Sequence, residues 1–167
     1  MIVLENLPNG LDQINLRYGN PDENHDYMLD EKWYREQTAI FELPQPLRLS
    51  WAPDCQIYRI RVHRAIGDAM VDAITDMIDY HGIEWLRKEH YDYYGGCFNF
   101  RKKRGRPVLS THSWGIAIDI CPQLGNMGDD PEQYPRFIVD IFTAHGFDWG
   151  GAWNPTDPMH WQACTGY

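Results

Sequence analysis

The sequence predicts an α+β fold, a small and mostly antiparallel sheet with flanking helices. Three observations predict it. Apolar residues recur at helical spacing over about 66–81 and again over about 131–145. Three shorter stretches, 91–100, 116–121 and 159–163, read as strands lying between and after those helices. The chain has 167 residues, 43% of them hydrophobic, which is room for one core and one domain.

The elements follow in chain order. Up to about Pro53 the sequence is punctuated by Asn9-Gly10, Gly19-Asn20-Pro21 and Pro44-Gln45-Pro46, and it reads as irregular. A short helix is expected over Asp30–Phe41, with Trp33, Gln37 and Ile40/Phe41 on one side. Residues 1–58 are therefore expected to be an extension packed on a core formed by 59–164. Ile66, Met70, Ala73/Ile74 and Met77/Ile78 then face one way and Asp68, Asp72, Asp76 and Asp79 the other. Gly82 stops that helix. The strand 91–100 carries Gly95 and Gly96. In the second helix Phe137, Ile138, Ile141 and Phe142 are the buried positions, and Gly146 closes it.

Charge and composition exclude several classes. With 15 Lys+Arg against 24 Asp+Glu the net charge is −9, so no overall attraction to nucleic acid or an anionic membrane is expected. No apolar run approaches the roughly 18–20 residues of a membrane span. Met1–Leu11 lacks the basic start and apolar stretch of an export signal, which predicts a protein made and held in the cytoplasm. Cys55, Cys97, Cys121 and Cys164 are scattered without a CxxC pair, so free thiols are expected and a Cys-rich zinc site is not.

Chemistry concentrates in Leu109–Ile120. Over Ile116–Ile120 the isoleucines point one way and Ala117 and Asp119 the other. An acid on so apolar a strand needs a partner. His112 lies seven residues earlier, an offset that one straight strand would place on the opposite face. Gly115 lets the chain bend, so that imidazole and carboxylate can converge. Further on, in Asp157-Pro158-Met159-His160-Trp161-Gln162, a strand puts His160 and Gln162 on one face and Met159 and Trp161 on the other. His112, Asp119 and His160 would form a three-ligand zinc set with a fourth position for water, beside which Asp157 could act as base. Each residue alone has an ordinary reading: a polar loop histidine, a structural strand acid, a satisfied core histidine. It is their joint occurrence that points to a metal.

Ser-x-His-x-x-Gly-x-Ala-x-Asp at Ser110–Asp119, followed by Asp-x-x-His at Asp157–His160, resembles the VanY-like zinc D-Ala-D-Ala carboxypeptidase and L-Ala-D-Glu peptidase family, grouped with lysostaphin and the hedgehog fold. The resemblance covers roughly residues 60–162. Asn99-Phe100-Arg101 and Phe147-Asp148-Trp149-Gly150-Gly151 are similar to the branch found in phage lysins. It implies zinc held by His112, Asp119 and His160, and Asp157 as catalytic acid/base where many relatives have Glu. It implies that Arg101 polarises the scissile carbonyl or holds a substrate carboxylate, and Ser110 is expected to hydrogen-bond substrate or a ligand. The tryptophans near the motifs, Trp114, Trp149, Trp153 and Trp161, read as core or as groove lining, with Trp114 and Trp153 the candidates for substrate contact.

The implied function is a monomeric zinc peptidase cutting an L-Ala–D-Glu or D-Ala-containing bond of the peptidoglycan stem peptide. The expected setting is a phage endolysin held in the cytoplasm and reaching the cell wall after release. Two alternatives stay open. One is a D-Ala-D-Ala carboxypeptidase or dipeptidase acting on free C-terminal carboxylates. The other is a non-catalytic zinc-binding module, which would require loss of the base that Asp157 supplies. The basic run 101–106 reads as a solvated loop beside the site that attracts stem-peptide carboxylates. His145 reads as structural or capping, and His25, His63, His81 and His90 as surface residues.

Overall fold

The computed structural model describes residues 1–167. The strongest helical period becomes α3, Gly67–His81, which buries Met70, Ala73, Ile74, Met77 and Ile78. It ends where Gly82 takes φ 83°. The other helices are α1 (Gly10–Tyr18), α2 (Glu31–Gln37), α4 (Ile83–Lys88) and α5 (Arg136–Ala144). Six strands form one sheet: β1 (Thr38–Leu49), β2 (Ala52–His63), β3 (Tyr93–Gly96), β4 (Ala117–Ile120), β5 (Asp148–Trp149) and β6 (His160–Gln162). Their order is β2-β1-β3-β4-β6-β5, antiparallel throughout except for β1 beside β3. The α+β expectation holds.

The first 53 residues are not irregular. They supply two helices and a long hairpin that forms the edge of the sheet, turning at Ser50-Trp51. Pro44 and Pro46 misled because they sit inside a strand. The register of β1 on β2 shifts between Glu42 and Leu47, so these prolines fall where the ladder is already broken and no N–H is required. The helix expected over 30–41 stops at Gln37. Asp30 caps it by accepting the Trp33 N–H at 2.6 Å, and Thr38 begins β1. The helix expected from 131 is a single 3-10 turn, Pro131–Gln133, followed by α5. Pro135 separates them, since proline disfavours helix in the residue before it.

The core lies between this sheet and α3 and α5. Trp161 of β6 stacks on Trp149 at 5.7 Å and meets Phe142 of α5 at 5.1 Å. One of the four histidines expected at the surface is also core: His63, only 2% exposed, at the end of β2. Its Nε2 donates to the Tyr18 carbonyl (3.0 Å) and its Nδ1 accepts the Ala65 N–H (3.1 Å). Burial lowers its pKa to about 4. All four cysteines are free, and only Cys55 is exposed.

Candidate metal centre

Backbone register brings the three sequence-predicted ligands together. Asp119 on β4 is the direct antiparallel partner of His160 on β6, so their side chains leave the sheet on the same face. His112 arrives from the 3-10 turn Thr111–Trp114. Gly115 ends that turn in the left-handed region, φ 67° and ψ 27°, and swings the chain into β4. A Cβ there would also lie 2.9 Å from the His63 backbone nitrogen. Gly95 of β3 serves the same face, because a Cβ at 95 would stand 2.7 Å from the Asp119 Cβ.

One ligand atom from each of His112, Asp119 and His160 lies within 4.8 Å of the others, and all three residues are buried. Asp119 Oδ1 is 3.3 Å from His112 Nε2 and 3.0 Å from His160 Nδ1. Burial would raise the Asp119 pKa, but the two histidines outweigh it and hold the carboxyl well below the usual range. Burial also opposes charge on His160, yet Asp119 and Asp157 overcome it and raise its pKa. The site therefore favours positive charge.

Whether a metal fits is decided at His112. Its Nδ1 lies 2.6 Å from the Cys97 carbonyl, which can only accept, so Nδ1 is the donor and, in the neutral ring, Nε2 is the lone-pair atom. That Nε2 is buried and has no hydrogen-bond partner. An unpaired buried acceptor aimed at a carboxylate is costly unless a cation lies between them. Two imidazoles and a carboxylate form the donor set of a catalytic zinc with an open position.

Asp157 stands beside this cluster. The backbone turns between it and His160, whose N–H donates to the Asp157 carbonyl at 3.0 Å, and this turn is what the Asp-x-x-His spacing encodes. The Gly150 carbonyl accepts the Asp157 N–H at 2.8 Å, and a Cβ at 150 would lie 2.3 Å from the Asp157 carbonyl oxygen. Asp157 Oδ1 is buried without a partner. Burial raises its pKa and Asp119 adds to the rise, while His160, His112 and Arg104 pull it back. An unsatisfied carboxylate with a raised pKa next to a cation site is equipped to accept a proton.

Residues 104–163 match the family model described as D-alanyl-D-alanine carboxypeptidase. The matched stretch, about a third of the chain, holds His112, Asp119, Asp157 and His160. It supports a D-Ala-D-Ala carboxypeptidase-like peptidase, with a His-Asp-His group able to hold the metal on which such hydrolases depend. No curated protein and no solved structure matches the chain.

Outside that quartet, the structure places the other candidate residues as follows. Trp114 packs in the core against α1. It is 1% exposed, and its indole N–H is spent on Gly19 O (2.9 Å) and Asn15 Oδ1 (3.2 Å), which pins α1 to the core. Trp153 does reach the site: its ring lies 5.4 Å from that of His160 and its Nε1 donates to Asp148 Oδ2 at 3.0 Å. Ser110 is buried, with its backbone N–H on the Arg101 carbonyl and its own carbonyl on Ser113 N–H. Arg101 lies just outside the matched stretch and is exposed, its guanidinium donating to the Lys102 carbonyl at 3.3 Å. Within the same loop Lys102 and Lys103 pack over the rings of Tyr27 and Tyr167, at 3.4 and 3.8 Å. Arg104 is the loop cation whose field reaches Asp157.

Sequence reasoning missed the outer contacts. The Cys97 carbonyl leaves no trace in a side-chain pattern. Thr111 Oγ1 and Gln162 Oε1, 3.3 and 3.2 Å from His160 Nε2, were within reach of it. Gln162 shares a strand face with His160, and Thr111 adjoins His112.

Proposed function

We propose that this protein is a zinc peptidase of peptidoglycan that hydrolyses a bond of the stem peptide and serves as a phage endolysin acting on the cell wall after release. The observation that carries the reading is the pairing of a converged His112/Asp119/His160 donor set with the unsatisfied Asp157 carboxylate. Bound there, zinc would supply Lewis acidity and a water acidified toward neutrality. Asp157 Oδ1 takes the proton of the attacking water and returns it to the leaving amine. The ring of Trp153 stands beside His160 at the edge of the cluster. The basic loop meets the carboxylates of the stem peptide, with Arg104 at its tip and Arg101 at its base. Because the whole chain carries −9 and the wall is itself anionic, attraction must come from this loop and the metal rather than from the global field.

A second reading is favoured by the family match: removal of a terminal D-Ala from a free C-terminus, as a carboxypeptidase. Zinc-loaded protein incubated with defined muropeptides, with products read by mass spectrometry, separates the two. Release of the peptide from D-Glu onward, with L-Ala left on the sugar, supports the endopeptidase, and loss of one D-Ala supports the carboxypeptidase. No product from either substrate overturns both.

A further inference from the structure

The two histidines of this cluster turn different nitrogens toward Asp119, and the fixing of the second is not explained by the donor set itself. His112 presents Nε2 because the Cys97 carbonyl holds its Nδ1 proton. His160 turns Nδ1 toward Asp119 Oδ1 at 3.0 Å, and for that nitrogen to serve as a ligand the ring proton must be held on Nε2. That nitrogen is buried and faces two side chains, Gln162 Oε1 at 3.2 Å and Thr111 Oγ1 at 3.3 Å. A hydroxyl can donate or accept, so Thr111 does not by itself choose the tautomer.

Gln162 does choose. Its own amide nitrogen donates to the Cys164 carbonyl at 3.1 Å, an acceptor that fixes which end of the amide points where. With the nitrogen committed there, Oε1 is the atom left facing His160, and a carbonyl oxygen requires a donor opposite it. The chain of constraints runs from the Cys164 backbone, through an amide whose oxygen faces His160, to a proton held on Nε2, which leaves Nδ1 as the nitrogen a metal can take. Gln162 is 2% exposed, so water does not compete for either end.

We propose that Gln162 is a positioning residue that selects the His160 tautomer and thereby sets the affinity of the site for zinc. The inference rests on the zinc reading above and goes beyond it to a residue outside the ligand set. Partners of this type typically change metal affinity about 10–100-fold when removed.

The test compares Gln162→Leu with Gln162→Glu, reading the zinc dissociation constant by competition with a chromophoric chelator. Both substitutions abolish the bond to the Cys164 carbonyl, but only leucine removes the acceptor from His160. The expected result is zinc binding weakened about 10–100-fold in Gln162→Leu and close to wild type in Gln162→Glu, with similar thermal midpoints for the two metal-free variants. Equal loss of zinc affinity in both would mean that Gln162 acts only through Cys164 and would overturn the inference. Unchanged affinity in Gln162→Leu would overturn it as well. If the leucine variant does not fold, Gln162→Asn, whose shorter amide withdraws the acceptor, takes its place with the same expectation. A wild-type protein that binds no zinc instead overturns the zinc reading on which the inference stands.

Discussion

The outer hairpin and the metal face of the same sheet are built by different means. In β2, the edge strand, only Ile60, Val62 and His63 are buried, and Trp51 at the turn is 65% exposed. Backbone pairing to β1 holds most of this strand, and many side chains would serve at its exposed positions. In β4 every residue is buried, and in the cluster beside it His112 Nδ1 and His160 Nδ1 have defined partners while His112 Nε2 lacks one. The hairpin tolerates change because its contacts are generic; the metal face does not, because lone pairs and protons must match atom by atom.

The two regions meet at one place. The His63 N–H donates to the Gly115 carbonyl at 2.9 Å, and Gly115 is the hinge that delivers His112. Three perturbations probe how far the contrast extends. The largest expected effect is a pH dependence at His63. The unfolded chain takes up a proton near 6.5, whereas the folded ring, buried and with both nitrogens used, does so only near 4. Stability from this group is thus complete above about pH 6.5 and is lost as pH falls toward 4, by about 3 kcal/mol. Denaturant unfolding of wild type and His63→Gln between pH 7 and 4 isolates the contribution; identical slopes would show that the junction does not depend on a neutral His63.

Next comes Gly115→Ala. A left-handed non-glycine residue costs about 1–2 kcal/mol, and the new Cβ would press on the His63 nitrogen besides. Both the thermal midpoint and zinc affinity should fall. A fall in stability with zinc binding untouched would show that the bend is not what places His112. The smallest effect belongs to Trp51→Ala, expected to change stability by less than about 0.5 kcal/mol. A loss several times larger would remove the contrast between a tolerant edge and an exacting centre.

The same contrast explains what could be read from the sequence. The convergence of His112, Asp119 and His160 was legible because few residue types at such offsets suit a metal, and a bend at Gly115 with a turn at 157–160 suffices to gather them. α3 was legible because one face is buried throughout. The hairpin was not, since its pairing is carried by backbone groups and its two prolines fall in a register shift that no local pattern announces. Of the two readings of Trp114, the structure shows the core one, since nearness in sequence to His112 says nothing of direction and its indole turns toward α1. His63 showed no partner pattern because both its partners are backbone atoms. The hold of Cys97 on His112 was hidden for the same reason.

In the proposed mechanism His112, Asp119 and His160 hold zinc and Asp157 moves the proton. Measuring zinc content and peptidoglycan hydrolysis together, on wild type, His112→Ala and Asp157→Ala, tests it most directly. The account predicts one zinc per chain and full hydrolysis for wild type, and loss of both for His112→Ala. For Asp157→Ala it predicts one zinc per chain with hydrolysis reduced about 10²–10⁴-fold. Wild-type hydrolysis by zinc-loaded Asp157→Ala would contradict it.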